Sequence, residues 1–388
     1  MRIGVNLLWL VPGVVGGSEE YTIRLLLALD DPEIELVVYA LADLDRTYPG
    51  LRDRHCVKTI RLSGRNKAAR LVAESSWLEW RTRRDHVDLV HHAGGIVPPT
   101  SWDQGPSQDR NGRRCPLLLT IFDLQPLTHP QNFSVAKRRY SQLTIPRSAA
   151  AADRIVVLTE HVRAEVVDRL GVPIEAIDVV PPAISLRSRA PMSLDDADDT
   201  TVMERHDIGH RYFLYPAITY PHKNHRVLVD ALALLVRDHP DVELVLTGGP
   251  AAAEDDLRRQ VMSLGLADRV HRLGRVPQTE LDVLYRRATA LAFPSMHEGF
   301  GVPTIEAMGW GLPVLAADAT SLPEVVGGAA ILVSPEDPRA WSAAMGRVLG
   351  DAEVRRDLAE RGRARAQRFA PALSAARLEE SYRRAVAS

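Results

Sequence analysis

The sequence contains few cysteines, and this scarcity limits how the fold can be stabilised. Only Cys56 and Cys115 occur in 388 residues, which is too few for a disulfide framework or a zinc ribbon. A reducing compartment with two buried thiols fits this usage best. We therefore expect the protein in the cytoplasm.

Long apolar runs are also missing. No stretch reaches the roughly 18 to 20 apolar residues that a membrane span requires. The apolar start at residues 2–10 ends at Pro12-Gly13, without the small-residue pattern of a cleavage site, so we interpret it as a β-strand and not as a signal peptide.

A strong excess of one charge and a fixed-period repeat are absent as well. The formal net charge of -2 provides no general attraction to nucleic acid, and no nucleic-acid-binding motif is present. Hydrophobic residues at 45% and charged residues at 25% are typical of a soluble globular protein. A chain of 388 residues exceeds one hydrophobic core, which predicts two domains of roughly 150 to 200 residues.

Short apolar runs alternate with amphipathic stretches along the chain, a pattern typical of βα units that build parallel sheets. The strands predicted for a first sheet are 2–10, 34–41, 57–62, 88–91, 116–121, 154–158 and 177–180. Those predicted for a second sheet are 211–216, 242–247, 270–273, 289–293, 313–317 and 330–333. Helices are expected near 223–238, 253–265, 278–287 and 303–310.

The two series are separated by Pro181-Pro182 and an acidic polar stretch, which disfavour a packed core there. We predict an N-terminal domain at 1–185, a linker at 186–209, a C-terminal domain at 210–368, and a final helix at 369–388 that packs back on the N-terminal domain. Ligands of doubly wound sheets bind beyond the carboxyl ends of the strands, so the chemistry should lie in the loops that follow strands.

The most informative loop follows the predicted strand 289–293 and continues through Glu298-Gly299-Phe300-Gly301-Val302-Pro303 to Glu306. Glycines let a ligand approach the backbone, and a helix that starts near Pro303 offers unpaired N–H groups to an anion. Glu298 and Glu306, which are separated by seven intervening residues, provide acceptors that suit sugar and ribose hydroxyls. Glu306 also fits a purely structural role as a first-turn carboxylate.

These residues, together with Leu322-Pro323-Glu324-Val325, resemble the donor half of the family 4 glycosyltransferases, of the group 1, mannosyltransferase-like type. The similarity covers most of 211–335 and, more weakly, the N-terminal half. It implies a retaining enzyme with an α/β GT-B fold, in which two doubly wound Rossmann-like domains face each other across a cleft.

The resemblance also implies roles for individual residues. Glu306 would bind the ribose of the donor nucleotide, and Glu298 would contact the donor sugar. Backbone amides around Phe300, Gly301 and Val302 would meet the sugar and the phosphates. The other residues expected to bind the donor are Gly16, Gly17, His222, Lys223, Val276 and Gly299.

Lys223 lies where a loop after the strand 211–216 runs into a helix, so it could stabilise charge on a departing diphosphate. This segment is similar to the family's phosphate-binding loop. Many family members carry an arginine shortly before this lysine, whereas the present sequence has Thr219 and Tyr220 there. Lys223 is therefore expected to act with His222 or with backbone donors alone.

The glycines before the first helix, Gly16 and Gly17, line the floor of the cleft in the family. They lack the G-x-G-x-x-G order of a dinucleotide fingerprint. An NAD(P)-dependent oxidoreductase nevertheless stays open as an alternative of another class, with Asp43 as the ribose-binding acid.

Asp123 follows the strand 116–121 and is a candidate to orient the acceptor or accept its proton, although a loop-capping role suits it nearly as well. Phe122 occupies the position of the family's sugar-binding histidine. His91 and His92 end a strand without zinc-motif spacing, so we interpret them as satisfied polar residues. The pair Asp43/Asp45 lacks supporting ligands and the pair Asp196/Asp198 lies in the acidic linker, so we expect no bound metal and no cofactor.

Residues 52–84 carry ten basic residues against three acidic ones, interleaved with tryptophans. The pattern is open to two interpretations: a basic amphipathic helix on anionic lipid, or a solvated helix packed on its sheet. We predict transfer of a hexose, with mannose and GDP-mannose favoured, to a glycan or lipid-linked acceptor. A catalytically idle binder of nucleotide sugars is the second alternative.

Overall fold

The computed structural model of the chain describes residues 1–13, 16–64, 66–102, 114–184 and 197–387. The chain forms two compact units. The N-terminal unit comprises Met1–Ser185 and Ala370–Ser388, and the C-terminal unit comprises Leu186–Phe369.

The N-terminal unit contains a parallel sheet of seven strands in the order β3-β2-β1-β4-β5-β6-β7. The strands are β1 Arg2–Asn6, β2 Glu35–Leu41, β3 Cys56–Ile60, β4 Leu89–His92, β5 Leu117–Ile121, β6 Arg154–Val157 and β7 Ile177–Val179. Six of the seven residues of β2 and all five of β5 are buried. Such continuous apolar strands are typical of parallel sheets covered by helices on both faces.

Nine helices belong to the described part of this unit. They are α1 Gly17–Ala28, α2 Ala42–Thr47, α3 Gly50–Arg54, α4 Lys67–Ser75, α5 Trp77–Arg84, α6 Gln125–Thr128, α7 Val135–Ala151, α8 Glu160–Leu170 and, from the end of the chain, α17 Pro371–Ala387. Local sequence explains the bounds of α8, because the Thr159 side chain accepts a hydrogen bond from Val162 N and Gly171 ends the helix at a φ of 67°.

The C-terminal unit contains a parallel sheet of six strands in the order β10-β9-β8-β11-β12-β13. The strands are β8 Tyr212–Pro216, β9 Glu243–Thr247, β10 Val270–Gly274, β11 Ala290–Phe293, β12 Val314–Ala317 and β13 Ile331–Val333. The helices are α9 Ala197–Arg205, α10 His225–Leu235, α11 Glu254–Ser263, α12 Gln278–Arg287, α13 Val302–Trp310, α14 Leu322–Val326, α15 Pro338–Gly350 and α16 Ala352–Ala366.

Both sheets therefore have the doubly wound topology that the alternating pattern predicted, and this prediction is confirmed. In each sheet the strand order reverses beside the first strand, between β1 and β4 in one and between β8 and β11 in the other. The connections leave this point in opposite directions and open a crevice at the carboxyl ends of the strands, where ligands of such sheets bind.

Part of the segment that we interpreted as a linker is a packed helix, and that interpretation is wrong for residues 197–205. Helix α9 belongs to the C-terminal unit, where the Asp199 carboxylate pairs with Arg286 and, at 3.1 Å, with Arg287 of α12. Asp199, one of the acidic residues that suggested a solvated chain, is thus neutralised by arginines. Residues 186–196 lie outside the described residues.

The last helix, α17, packs on α1 within the N-terminal unit. The Tyr382 hydroxyl lies 2.9 Å from His91 Nδ1 in the buried interior, and the Ser374 hydroxyl donates to the carbonyl of Pro182 at 3.3 Å. The chain therefore ends in the unit in which it begins.

The basic segment 52–84 does not form one helix, because it is divided among α3, β3, α4 and α5. Much of its charge is neutralised by ion pairs, which are Arg52 with Asp45 (2.7 Å), Arg54 with Asp30 (2.9 Å), Arg81 with Asp85 (3.3 Å) and Arg83 with Glu79 (2.5 Å). Trp80 is 51% exposed, and the guanidinium of Arg84 lies 5.4 Å from its ring centroid. The continuous amphipathic helix is not found, Arg65 lies outside the described residues, and contact with lipid stays a prediction.

No helix in the described ranges has both the length and the apolar character that crossing a bilayer demands.

Candidate functional site

The loop after β8 places Lys223 at the switch point of the second sheet. Lys223 ends a 3-10 turn, Pro221–Lys223, and Asn224 follows in the left-handed conformation at a φ of 55° before α10 begins. The buried Tyr215 hydroxyl, on β8, donates to the Lys223 carbonyl at 2.7 Å. The Tyr215 ring packs edge-on against Phe293 of β11 at 5.4 Å, so the core of the sheet positions the lysine backbone.

The loop after β11 is joined to the loop after β8 by hydrogen bonds. The amide of Met296 donates to the carbonyl of His222 at 2.8 Å, and the Asn224 side chain donates to the carbonyls of Pro294 at 3.3 Å and Pro335 at 2.7 Å. The two loops that flank the switch point therefore form one rigid surface.

On this surface Lys223 and Glu298 form an ion pair. Lys223 Nζ lies 2.5 Å from Glu298 Oε1, and the two side chains are 20% and 12% exposed. The amide of Glu298 donates to Thr320 Oγ1 at 3.1 Å, and the Ser321 hydroxyl donates to the Glu298 carbonyl at 2.8 Å. The structure thus brings together two predicted catalytic residues and fixes the backbone of Glu298 by hydrogen bonds from both of its peptide groups.

Gly301 positions the start of α13 close to this pair. Its φ of 88° belongs to the left-handed region, and a Cβ at this position would lie 2.6 Å from Leu322 Cδ2, so only glycine fits without displacement. As the residue before α13, Gly301 has no side chain with which to cap it. The amide of Val302 at this helix start suits an anion.

The remaining residues predicted to bind the donor in this loop and helix differ in what they can offer a ligand, either a backbone group or a side chain. Phe300 is buried and packs edge-on against Phe369 at 5.1 Å, so it can offer a ligand only its backbone. Gly299 is buried in the same loop. Glu306 lies in the second turn of α13, half-buried, where Oε2 accepts from the Tyr285 hydroxyl at 3.4 Å. Its ribose contact stays a prediction.

His222 belongs to the hydrogen-bonded loops that contain the Lys223–Glu298 ion pair, whereas Val276 does not. The His222 ring stacks nearly parallel on Tyr220, with ring centroids 5.7 Å apart and an angle of 11°, and its carbonyl joins the two loops. Val276 lies half-buried between β10 and α12. Within the described ranges no hydrogen bond or ion pair connects Val276 to Lys223 or Glu298.

Sequence reasoning missed the residues that hold these loops. Tyr215, Asn224, Thr320 and Ser321 fix the backbones of the ion pair, and nothing in their local pattern indicated this. Thr219 is a further example, because its fully buried hydroxyl accepts from Ala251 N at 2.7 Å and donates to Glu254 at 2.9 Å. Only the strand order makes these residues neighbours.

In the N-terminal unit, the predicted glycines begin α1. Gly16 precedes the helix with a φ of 81°, and a Cβ added at Gly16 or Gly17 would meet no atom within 4 Å, so both face open space. Glu19, in the first turn of α1, is buried. Its carboxylate accepts hydrogen bonds from Gly13 N at 3.0 Å and from the Tyr48 hydroxyl at 2.7 Å. Val14 and Val15 lie outside the described residues.

Asp123 caps the loop after β5, where Oδ1 accepts from Gln125 N at 2.9 Å. This geometry shows the capping role, and the catalytic role of Asp123 stays a prediction. Phe122 packs against Trp9 at 5.9 Å and Tyr21 at 5.4 Å.

The two histidines at the end of β4 point into the interior. His91 hydrogen-bonds Thr120 Oγ1 at 2.8 Å, and His92 Nδ1 lies 3.2 Å from Asn6 Nδ2. Burial lowers the pKa of each histidine to about 3. Both are therefore neutral in the folded chain. The interpretation as satisfied polar residues is confirmed for His91, whose two ring nitrogens are hydrogen-bonded, but is wrong for His92, whose Nε2 has no partner among the described residues.

The described part of the chain contains no group of three His, Cys, Asp or Glu side chains that could hold a metal ion. Asp43 and Asp45 pair with Arg46 and Arg52, respectively. Asp196 and the side chain of Asp198 lie outside the described residues.

Comparisons with known proteins agree with this geometry. Residues 15–188 match the model described as Glycosyltransferase Family 4, and residues 199–365 match Glycosyl transferases group 1. A D-inositol 3-phosphate glycosyltransferase of Kineococcus radiotolerans is 34% identical, over 96% of this chain and 92% of the relative. O-antigen chain mannosyltransferase B of Escherichia coli is 29% identical, over 74% and 72%.

Solved structures show the same fold. HepE of Anabaena, in complex with UDP and glucose, has a TM-score of 0.74 at 21% identity, covering 99% of this chain and 100% of HepE. Sucrose-phosphate synthase of Thermosynechococcus elongatus has a TM-score of 0.73 at 20% identity, covering 100% and 99%. The chain is a member of the family 4 glycosyltransferases and has the GT-B fold.

Proposed function

We propose that this glycosyltransferase moves a hexose, with mannose favoured, from a nucleotide-diphosphate sugar to a hydroxyl of a glycan or lipid-linked acceptor, with retention of configuration. The observation that carries the proposal is the Lys223–Glu298 ion pair beside the start of α13. A cation and a helix start suit the diphosphate of such a donor, and a carboxylate that accepts hydrogen bonds suits the hydroxyls of its sugar.

Lys223 and the amides at the start of α13 would stabilise the negative charge that grows on the diphosphate as the glycosidic bond breaks. Glu298 would accept hydrogen bonds from sugar hydroxyls, and Glu306 from the ribose. Because Lys223 is already paired, the incoming diphosphate replaces Glu298 as its partner. The freed carboxylate then turns to the sugar, so that the two halves of the donor are recognised together.

The preference for mannose is supported by the related O-antigen mannosyltransferases, and GDP-mannose is the donor that we propose with it. The HepE structures, which contain UDP, glucose or UDP-glucose, make UDP-glucose the main competing donor. No cofactor or metal enters the proposed reaction.

The decisive experiment incubates the protein with GDP-mannose, UDP-glucose and other nucleotide sugars, together with a panel of hydroxylated acceptors. Release of nucleotide diphosphate identifies the base, and NMR of the product identifies the anomeric configuration. Binding without release under all acceptors would favour the idle binder, and stoichiometric NAD binding without nucleotide-sugar binding would favour the oxidoreductase. An inverted product would exclude retention.

A peripheral contact with anionic lipid on the cytoplasmic side is a further part of the proposal. The exposed Trp80, with the guanidinium groups of Arg81 and Arg84 stacked near its ring, supports it, because tryptophan and arginine together suit the headgroup region of a bilayer.

A further inference from the structure

One aromatic side chain of the C-terminal unit is exposed on the loop that carries Lys223. Tyr220 is 46% exposed, whereas every other tyrosine of the same unit is buried. Among the described residues of this unit, no phenylalanine or tryptophan is as exposed. Single exposed apolar residues are common on protein surfaces, so the exposure of Tyr220 gains meaning only from its surroundings.

The backbone of Tyr220 is fixed on both sides. Pro221 follows it and restricts Tyr220 to an extended conformation, observed at a φ of -75° and a ψ of 148°. The amide of Tyr220 donates to the carbonyl of Ile218 at 2.7 Å, and the carbonyl of Tyr220 accepts from the amide of Lys223 at 3.0 Å. The preceding residue, Thr219, is hydrogen-bonded to the loop after β9 through its amide, its carbonyl and its hydroxyl. A rigid loop therefore presents the ring.

The Tyr220 ring is also held by a neighbouring ring. It stacks nearly parallel on His222, with centroids 5.7 Å apart. The amide of Met296, on the loop after β11, donates to the carbonyl of His222 at 2.8 Å, and Met296 is 38% exposed. We call Tyr220, His222 and Met296 the apolar rim, because they lie on the two hydrogen-bonded loops that carry Lys223 and Glu298.

The apolar rim differs from the ion pair in its access to water. The Lys223 and Glu298 side chains are 20% and 12% exposed, which is well below the exposure of Tyr220 and Met296. A donor whose diphosphate and sugar contact these two inner groups leaves the apolar rim uncovered. The rim is therefore available to the second substrate, which reaches the bound donor from solvent.

The chemistry of the apolar rim suits an uncharged sugar ring. The face of an aromatic ring carries partial negative charge, so it repels phosphate oxygens. The same face attracts the weakly positive C–H groups on the apolar side of a pyranose, and the tyrosine hydroxyl can donate to and accept from sugar hydroxyls. Tyrosine provides this contact area with little loss of conformational entropy, because its side chain has only two χ angles.

We propose that the Tyr220 ring, stacked on His222 and with Met296 on the adjoining loop, is a subsite for a pyranose ring of the acceptor. The inference rests on the proposed function and narrows its acceptor to a molecule that contains a pyranose, either free or linked to a lipid.

Saturation-transfer NMR on the full-length protein, with GDP or UDP present, tests the subsite without turnover. The probes are the methyl glycosides of mannose, glucose and galactose. Mannitol is the control ligand, because it has similar hydroxyls but no ring.

We expect saturation transfer to the C–H protons on one face of at least one glycoside, and none to mannitol. Tyr220→Ala should reduce this transfer about fivefold or more, and Tyr220→Phe, which keeps the ring, should retain it. Transfer that is unchanged in Tyr220→Ala, equal for mannitol, or absent for every glycoside would overturn the inference.

Acceptor kinetics provide a second measurement. Tyr220→Ala should raise the KM for the best glycoside acceptor about tenfold and leave kcat and the donor Kd within about twofold, because the backbone hydrogen bond to Lys223 stays. Tyr220→Phe should restore the KM. Met262→Ala, which removes another exposed apolar side chain of the same unit, is the matched control and should change none of these constants. A higher donor Kd with an unchanged acceptor KM would assign Tyr220 to the donor, and the inference would be wrong.

The outcomes separate this inference from the proposed function. Release of nucleotide diphosphate by the wild type, with an unchanged acceptor KM in Tyr220→Ala, would exclude the subsite and keep the transferase. Binding of a glycoside that depends on Tyr220, without release of nucleotide diphosphate from any donor, would keep the subsite and exclude the proposed reaction.

Discussion

Replacing Lys223 by alanine tests the donor site most directly, because the structure shows what the lysine does before a donor arrives. Its ammonium is paired with Glu298 at 2.5 Å, and both side chains are largely shielded from water. In the variant the backbone of Glu298 stays in place, held by Thr320 and Ser321, but its carboxylate loses the Lys223 counter-ion.

The effect of the substitution on donor affinity should be modest. Lys223 exchanges one anionic partner for another when a diphosphate binds, so donor affinity should fall by less than about tenfold. In the transition state the charge on the leaving diphosphate is larger, and a group that stabilises such charge contributes about 3 to 4 kcal/mol, or about 10² to 10³ in turnover. The variant should therefore lose much more turnover than affinity.

The assay pairs calorimetric donor titration with single-turnover transfer to the best soluble acceptor. Lys58→Ala, which removes a half-buried lysine from the other unit, controls for loss of a lysine as such. A double-mutant cycle with Glu298→Gln measures the coupling of the pair in the donor-free protein by denaturant unfolding, with an expected value of about 0.5 to 3 kcal/mol. A variant with unchanged turnover and only weaker binding would refute the reasoning.

Three further predictions follow from other parts of the molecule. Glu306→Ala should weaken donor binding by about 1.5 to 3 kcal/mol without unfolding the chain, and unchanged affinity in calorimetry would exclude its ribose role. Trp80→Ser with Arg84→Gln should release the protein from anionic vesicles at low salt, while transfer to a soluble acceptor persists; failure of the wild type to sediment with such vesicles would exclude the lipid contact. The histidine pKa values predict a pH effect on stability: His91 and His92 are neutral when folded, with a pKa of about 3, but titrate near 6.5 when unfolded. The unfolded chain therefore binds more protons below pH 6.5, and stability should fall by about 1.4 kcal/mol per pH unit for each histidine between pH 6.5 and 3. Urea unfolding at pH 7 and pH 5 measures this slope, which should decrease in His92→Asn.

The sequence by itself determined the two sheets and one half of the site. Apolar runs alternating with amphipathic helices predict parallel sheets because both faces of each strand must be buried, and the strands and helices that contain the motifs follow this pattern. The Glu298-Gly299-Phe300-Gly301 loop was predictable for a similar reason, since glycine and proline at a strand end indicate a helix start that is open to a ligand.

Tertiary structure alone decided which charges meet. Lys223 and Glu298 are 75 residues apart, and they pair because β8 and β11 are adjacent at the reversal of strand order. The same applies to Asp199. Its acidic local sequence indicated a linker, but in the structure its carboxylate pairs with two arginines of α12. The sequence shows which charged residues a segment contains, but it does not show which residues they pair with. Their ion-pair partners depend on the order of strands that are distant along the chain. This order is fixed only when the hydrophobic cores pack.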